Sequence, residues 1–263
     1  MKTSVFYKQI IASILVIFFI LLAWIYTYNI ACFSLLIPVL IALVLSSSYI
    51  EIKMKEKKCF RNCYFKKNTF ISKILISPVL TSIFFILLSL SYTLSLMYNI
   101  LTFDKTMFLS IGIFIFLVFG IYNYILRYFV DIINEKHLEI FAREFTIKIS
   151  ALILFCIYLF IYFNSYEPEY LRETLLETVN IATNSISSNC HFIDLILRVR
   201  IEIESQVWFL MKGSNNFLEE KNVKTIFWIG FIIVNSLSIL ALNRFIIQII
   251  YLIKKLIREK DEK

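Results

Sequence analysis

Apolar runs of eighteen residues or more recur along this chain, with the ionisable side chains placed outside their centres. No other feature restricts the fold as much. A helix of about 20 apolar residues spans the ~30 Å hydrocarbon core of a bilayer. In water, such runs would leave more apolar surface than the few polar residues can cover. With 59% apolar residues and a mean hydropathy of +0.77, the 263-residue chain is too oily for a soluble domain of its size. The expected fold is therefore an all-α multi-pass membrane protein. It has six transmembrane helices, N and C termini cytoplasmic, and a small outer helical hairpin between helices five and six.

The stretch 51–73 (EIKMKEKKCFRNCYFKKNTFISK) orients the helices, because it carries seven lysines and one arginine against two acids. A short loop this basic stays on the cytoplasmic side. That orientation places twenty Lys and Arg with nine acids inside, and seven with ten outside. Topology thus accounts for the net charge of +8, and nucleic acid is not an expected partner. The basic inner face is instead suited to membrane lipids with anionic headgroups. High Phe, Ile, Lys and Asn with four Gly points to an AT-rich bacterial coding sequence, hence to a bacterial cytoplasmic (inner) membrane. Residues 1–8 are basic, but the run behind them lacks a small-x-small cleavage site and reads as the first membrane helix.

Three parts follow from this reading. Residues 1–166 form a five-helix membrane region with the basic cytoplasmic loop 51–73. Residues 167–224 form the outer helical hairpin. Residues 225–263 form the sixth helix and continue into a basic amphipathic cytoplasmic tail. The five helices are expected near 9–28, 31–50, 74–96, 107–128 and 149–166. Trp24, Tyr26 and Tyr28 suit the outer headgroup level. Pro38 is expected to kink the second helix. Gly112 and Gly120, eight residues apart, are read as sharing a packing face. The inner loop 131–148, which contains His137, is read as a short interfacial or partner-binding helix.

In the hairpin, Pro168 suits a first helical turn. Leu171, Leu175, Val179, Ala182 and Ile186 make one apolar stripe, and Phe192, Ile196, Val199, Ile203, Val207 and Leu210 a second. The alternation in 198–204 (RVRIEIE) also fits a strand. The longer stripe, with Arg198–Glu202 and Arg200–Glu204 at i,i+4, favours a helix. Trp208, Phe209 and Met211 are placed at the outer leaflet.

Candidate chemistry is sparse. Ser89, Ser91, Thr93 and Ser95 in the third helix, with Asn235 in the sixth, form a possible pore or packing face. The bland reading is that each hydroxyl bonds its own i−4 carbonyl. Arg244, Lys254, Lys255 and Arg258 are the possible lipid or partner contacts of the tail. The segment 245–258 either lies on the membrane or docks a soluble subunit. Cys59 and Cys63 sit among basic residues that would favour thiolate. A reducing cytoplasm and the absence of CxxC spacing argue against metal or redox chemistry there. Cys32 and Cys156 are read as small packing residues within apolar runs, and Cys190 as alone on the outer side. No catalytic motif, cofactor site or metal site is visible. The expected function is a non-enzymatic membrane subunit of a larger bacterial assembly (transport, secretion or defence). Its partner is another protein subunit or a second copy. The alternative is a homo-oligomeric channel or pore lined by the Ser, Thr and Asn faces.

Overall fold

A computed structural model describes residues 3–64, 77–165, 168–210 and 221–261. The described chain is all-α. The elements are α1 (Thr3–Thr27), a 3-10 turn (Cys32–Leu35), α2 (Leu36–Tyr64), α3 (Pro78–Leu101), α4 (Lys105–Tyr128), α5 (Glu135–Ser165), α6 (Leu175–Ser185), α7 (His191–Trp208) and α8 (Lys221–Asp261). Five of the described helices contain windows long and apolar enough to cross a membrane, in α1, α2, α3, α4 and α8. This is the architecture of a multi-pass membrane protein.

Local sequence explains where the helices begin. Ser77 caps α3 by accepting from the Leu80 amide, with Pro78 at the first helical position, where its missing N–H costs nothing. Asp104 caps α4 by accepting from the Met107 amide at 2.8 Å. Thr174 caps α6 at Glu177. Pro38 lies in the first turn of α2, not mid-helix, so no backbone bond is lost to it.

Two expected inner loops are mostly helix. Through Tyr64 the basic stretch continues α2, since EIKMKEKKCFRNCY contains no Gly or Pro. Lys53–Glu56 and Glu51–Lys55 pair along that helix at 2.6 and 3.5 Å. The remainder of the loop, 65–73, lies outside the described residues. Likewise, 135–148 forms the first turns of α5 and not a separate interfacial helix.

α8 is the axis of the molecule. Of its apolar window, 67% is buried, against 22–39% for the other four. It packs against α1, α2, α3, α4 and α5, and 241–250 is buried on every side. The first part of the tail expected to lie on the membrane or dock a soluble subunit, 245–250, is therefore in the centre of the bundle, while 251–258 is half-buried to exposed. Phe245, Ile246, Ile249 and Ile250 are covered by neighbouring helices, whereas Leu256 is exposed. The peripheral helices turn Phe19, Leu43, Phe84, Ile113 and Leu152 outward, which makes the outside of the bundle apolar. In lipid that surface is solvated.

Other packing expectations are corrected. Trp24 is buried and donates to the Met97 carbonyl at 2.9 Å, so only Tyr26 of that trio is fully outward. Gly112 packs toward Phe18, while Gly120 is open, because eight residues at about 100° each leave them ~80° apart. Cys156 is exposed and not packed. In the hairpin, residues 168–174 are not helical, so Pro168 does not open a helix. The contested 198–204 is helical, within α7. Its predicted apolar face is the outer one, with Phe192, Val199 and Ile203 at 56%, 49% and 52% exposure. The buried face is Ile193, Leu197, Ile201, Glu204, Ser205 and Trp208.

Candidate functional site

Two polar clusters lie inside the bundle along the middle of α8, one at Asn243, Arg244 and Gln248 and the other at Asn235 and Ser238. In the first, α2 supplies Glu51, α5 supplies Arg143 and Glu144, and α8 supplies Arg244 and Gln248. The Arg143 guanidinium donates to Glu51 Oε2 at 2.9 Å and to Gln248 Oε1 at 3.3 Å, and it lies 4.4 Å over the Tyr251 ring. Arg244 donates to Glu144 Oε1 at 2.8 Å and stacks 3.5 Å over Tyr49. One turn deeper, Asn243 donates to the Ile147 carbonyl at 2.9 Å and accepts from Ser150 at 2.8 Å. Three helices are tied together by charge-assisted bonds in a setting where an unpaired charge would be expensive.

The sequence reading missed this cluster because it assigned Glu51 and Arg143 to solvated loops. The available signal was their position immediately beside apolar runs in stretches free of helix breakers. Of the predicted tail contacts, Arg244 is buried in this cluster. Lys254 donates to Asn123 Oδ1 at 3.0 Å, over Tyr122, and Arg258 pairs with Glu139 at 2.6 Å. Lys255 is exposed, 4.0 Å from Glu259.

Between α2 and α5 an amphipathic cleft of about 300 Å³ opens beside this cluster. Its polar lining is Lys55, Glu56, His137, Glu144 and Lys148, and its apolar lining is Ile52, Ile140, Phe141 and Phe145.

The second cluster joins α3, α7 and α8. Arg200 donates to Asn235 Oδ1 at 2.9 Å and lies 5.4 Å over Tyr98. Asn235 donates to the Phe231 carbonyl at 3.1 Å, and Asn99 donates to Ser238. Glu204 is buried beside Arg200. Burial pushes its carboxyl up from the usual range, against the pull of Arg200 and of hydrogen bonds from Tyr98 and Trp208.

The predicted hydroxyl face divides in two. Ser89 and Thr93 are buried, and each bonds its own i−4 carbonyl, at 2.7 and 2.8 Å. Ser91 does the same at 3.2 Å from the exposed side, and the Ser95 hydroxyl is buried.

The hairpin is fastened covalently. Cys32 and Cys190, 158 residues apart, form a disulfide. Cys32, in the 3-10 turn before α2, is therefore bonded and not a free packing residue, and Cys190 has an intramolecular partner. Ser188 donates to the Tyr28 carbonyl at 2.6 Å beside it. Asp194 accepts from the Ser188 amide at 3.0 Å and pairs with Arg198 at 2.7 Å, which holds its carboxyl below its ordinary range. The pairing of Arg198 with Asp194 replaces the expected one with Glu202. Both cysteines stood next to predicted outer segments, which was the signal for the bond.

The side chains of Cys59, Cys63 and Met211 lie outside the described residues. Among the described residues, no group of three His, Cys, Asp or Glu side chains is arranged to hold a metal ion. Comparison of the chain with family models, curated proteins and solved structures finds no match.

Proposed function

We propose that this chain is a non-enzymatic integral membrane subunit of a larger bacterial assembly serving transport, secretion or defence. In this reading it crosses the cytoplasmic membrane six times with both termini inside. The sixth crossing is the apolar half of α5, 149–165, alongside the five apolar helices already described. Two independent features support the orientation. Disulfides persist in oxidising compartments, and Cys32–Cys190 lies at the end of α1 and α2 away from the basic stretch of α2. That basic stretch is the part expected to stay inside.

The observation that carries the subunit reading is the direction of the polar side chains. A pore between copies needs Ser89, Thr93 and Asn235 to converge on an axis outside the single chain. These groups instead bond their own helix carbonyls or, for Asn235, Arg200 of the same chain. Meanwhile α7 turns Phe192, Val199 and Ile203 outward, a face suited to another subunit.

The test is the mass of the purified protein in mild detergent after expression at native level, with whatever accompanies it. A stoichiometric second protein supports the reading. A homo-oligomer that conducts ions in liposomes replaces it with the channel.

A further inference from the structure

We propose that the cleft between α2 and α5 binds the headgroup of one anionic phospholipid, seated between Lys55 and Lys148. The site's place in the chain supports this. Lys55 follows the apolar run of α2, and Lys148 immediately precedes that of α5, so both helices leave the hydrocarbon at the level of the cleft. Phe141 and Phe145 line it at 37% and 39% exposure, an apolar wall that suits a lipid better than a free anion or an acidic peptide.

The charges do not cancel. Glu144 is taken by Arg244 at 2.8 Å, and Glu56 by Lys53 at 2.6 Å. Lys55 has only a long contact to Glu51, at 3.5 Å, and that carboxylate is already held by Arg143 at 2.9 Å. Lys148 is exposed and makes no ion pair among the described residues. Two lysines thus face a cleft whose acids are engaged elsewhere, and a volume of about 300 Å³ is sufficient for a small headgroup. Basic clefts between membrane helices at the cytoplasmic level recognise anionic headgroups in this way. The site does not depend on which assembly the protein joins.

The full-length protein is reconstituted in symmetric nanodiscs of phosphatidylcholine with graded phosphatidylglycerol, released, and weighed by native mass spectrometry. One phosphatidylglycerol is expected to stay bound in preference to phosphatidylcholine. Lys55→Gln with Lys148→Gln should weaken retention about tenfold or more, whereas Lys55→Arg with Lys148→Arg should keep it. Lys58→Gln, on the same helix outside the cleft, should have no effect. Folding is verified in each variant by the intact Cys32–Cys190 disulfide and a single elution peak. Any of four results overturns the proposal: unchanged retention in the double Gln variant, equal retention of both lipids, an equal loss in Lys58→Gln, or release of the lipid by inorganic phosphate.

Discussion

The pair of Glu51 and Arg143 makes an asymmetric prediction that tests whether the cluster around Arg143 is a desolvated core or a surface ornament. The Arg143 side chain is 1% exposed and that of Glu51 33%. Glu51→Gln keeps the shape but strands a guanidinium inside the bundle. Breaking a buried pair in this way costs about 3–5 kcal/mol, and the retained amide acceptor offsets about 1 kcal/mol of that. The expected loss is therefore about 2–4 kcal/mol. Arg143→Met keeps the stem volume, and the remaining carboxylate is exposed enough to hydrate and still has Lys55 at 3.5 Å. Its losses are the contact over Tyr251, about 1 kcal/mol, and the long bond to the buried Gln248 Oε1, about 1 kcal/mol. In the double variant, stability should return close to that of Arg143→Met alone. Equilibrium unfolding in mixed micelles of fixed composition, followed by tryptophan fluorescence, gives all three values. If Arg143→Met costs as much as Glu51→Gln and the two effects add, the cluster is solvated and the reasoning fails.

Three further expectations follow from other contacts. Cys32→Ser should lower stability by about 2–4 kcal/mol and abolish the mobility difference between reduced and non-reduced gels. An unchanged gel shift would mean that the cysteines pair otherwise. Asn243→Leu removes two interhelical bonds and should cost about 0.6–1.7 kcal/mol in the same unfolding assay; a gain would show that α5 and α8 pack without them. Glu204 has a folded carboxyl pKa above its unfolded value, so the folded state holds the proton more tightly. That contribution to stability is fully present below the unfolded pKa and is lost as pH rises through the folded one. Glu204→Gln should therefore gain on the wild type as pH rises from the acidic range to neutral and above. A difference in melting temperature that does not vary with pH would refute the assignment.

Much of the architecture was legible in one dimension, because a bilayer imposes its thickness on sequence. Runs such as 9–28 and 107–128 had to be apolar over about 20 residues, and α1 and α4 formed over them. Capping at Ser77 and Asp104 is equally local. The helical character of α6 and α7 was readable from a 3.6-residue pattern, but which side of α7 is buried was not. Hydrophobicity points toward lipid as readily as toward a core, so Phe192 and Ile203 could be exposed while Glu204 was enclosed.

What only the tertiary structure decided is the fate of α8 and of the charges. A helix carrying Arg244, Gln248 and Lys255 down one side reads as amphipathic, and amphipathicity specifies a polar neighbour without naming it. Water, phospholipid and the carboxylates of α2 and α5 all satisfy that pattern. The fold chose Glu144 for Arg244, and it joined Cys32 to Cys190 across 158 residues. The apolar helices follow from the solvent the chain must meet, which acts on each segment separately. The central helix, the buried ion pairs and the clamp depend on which segments meet one another, and that emerges only when the helices pack.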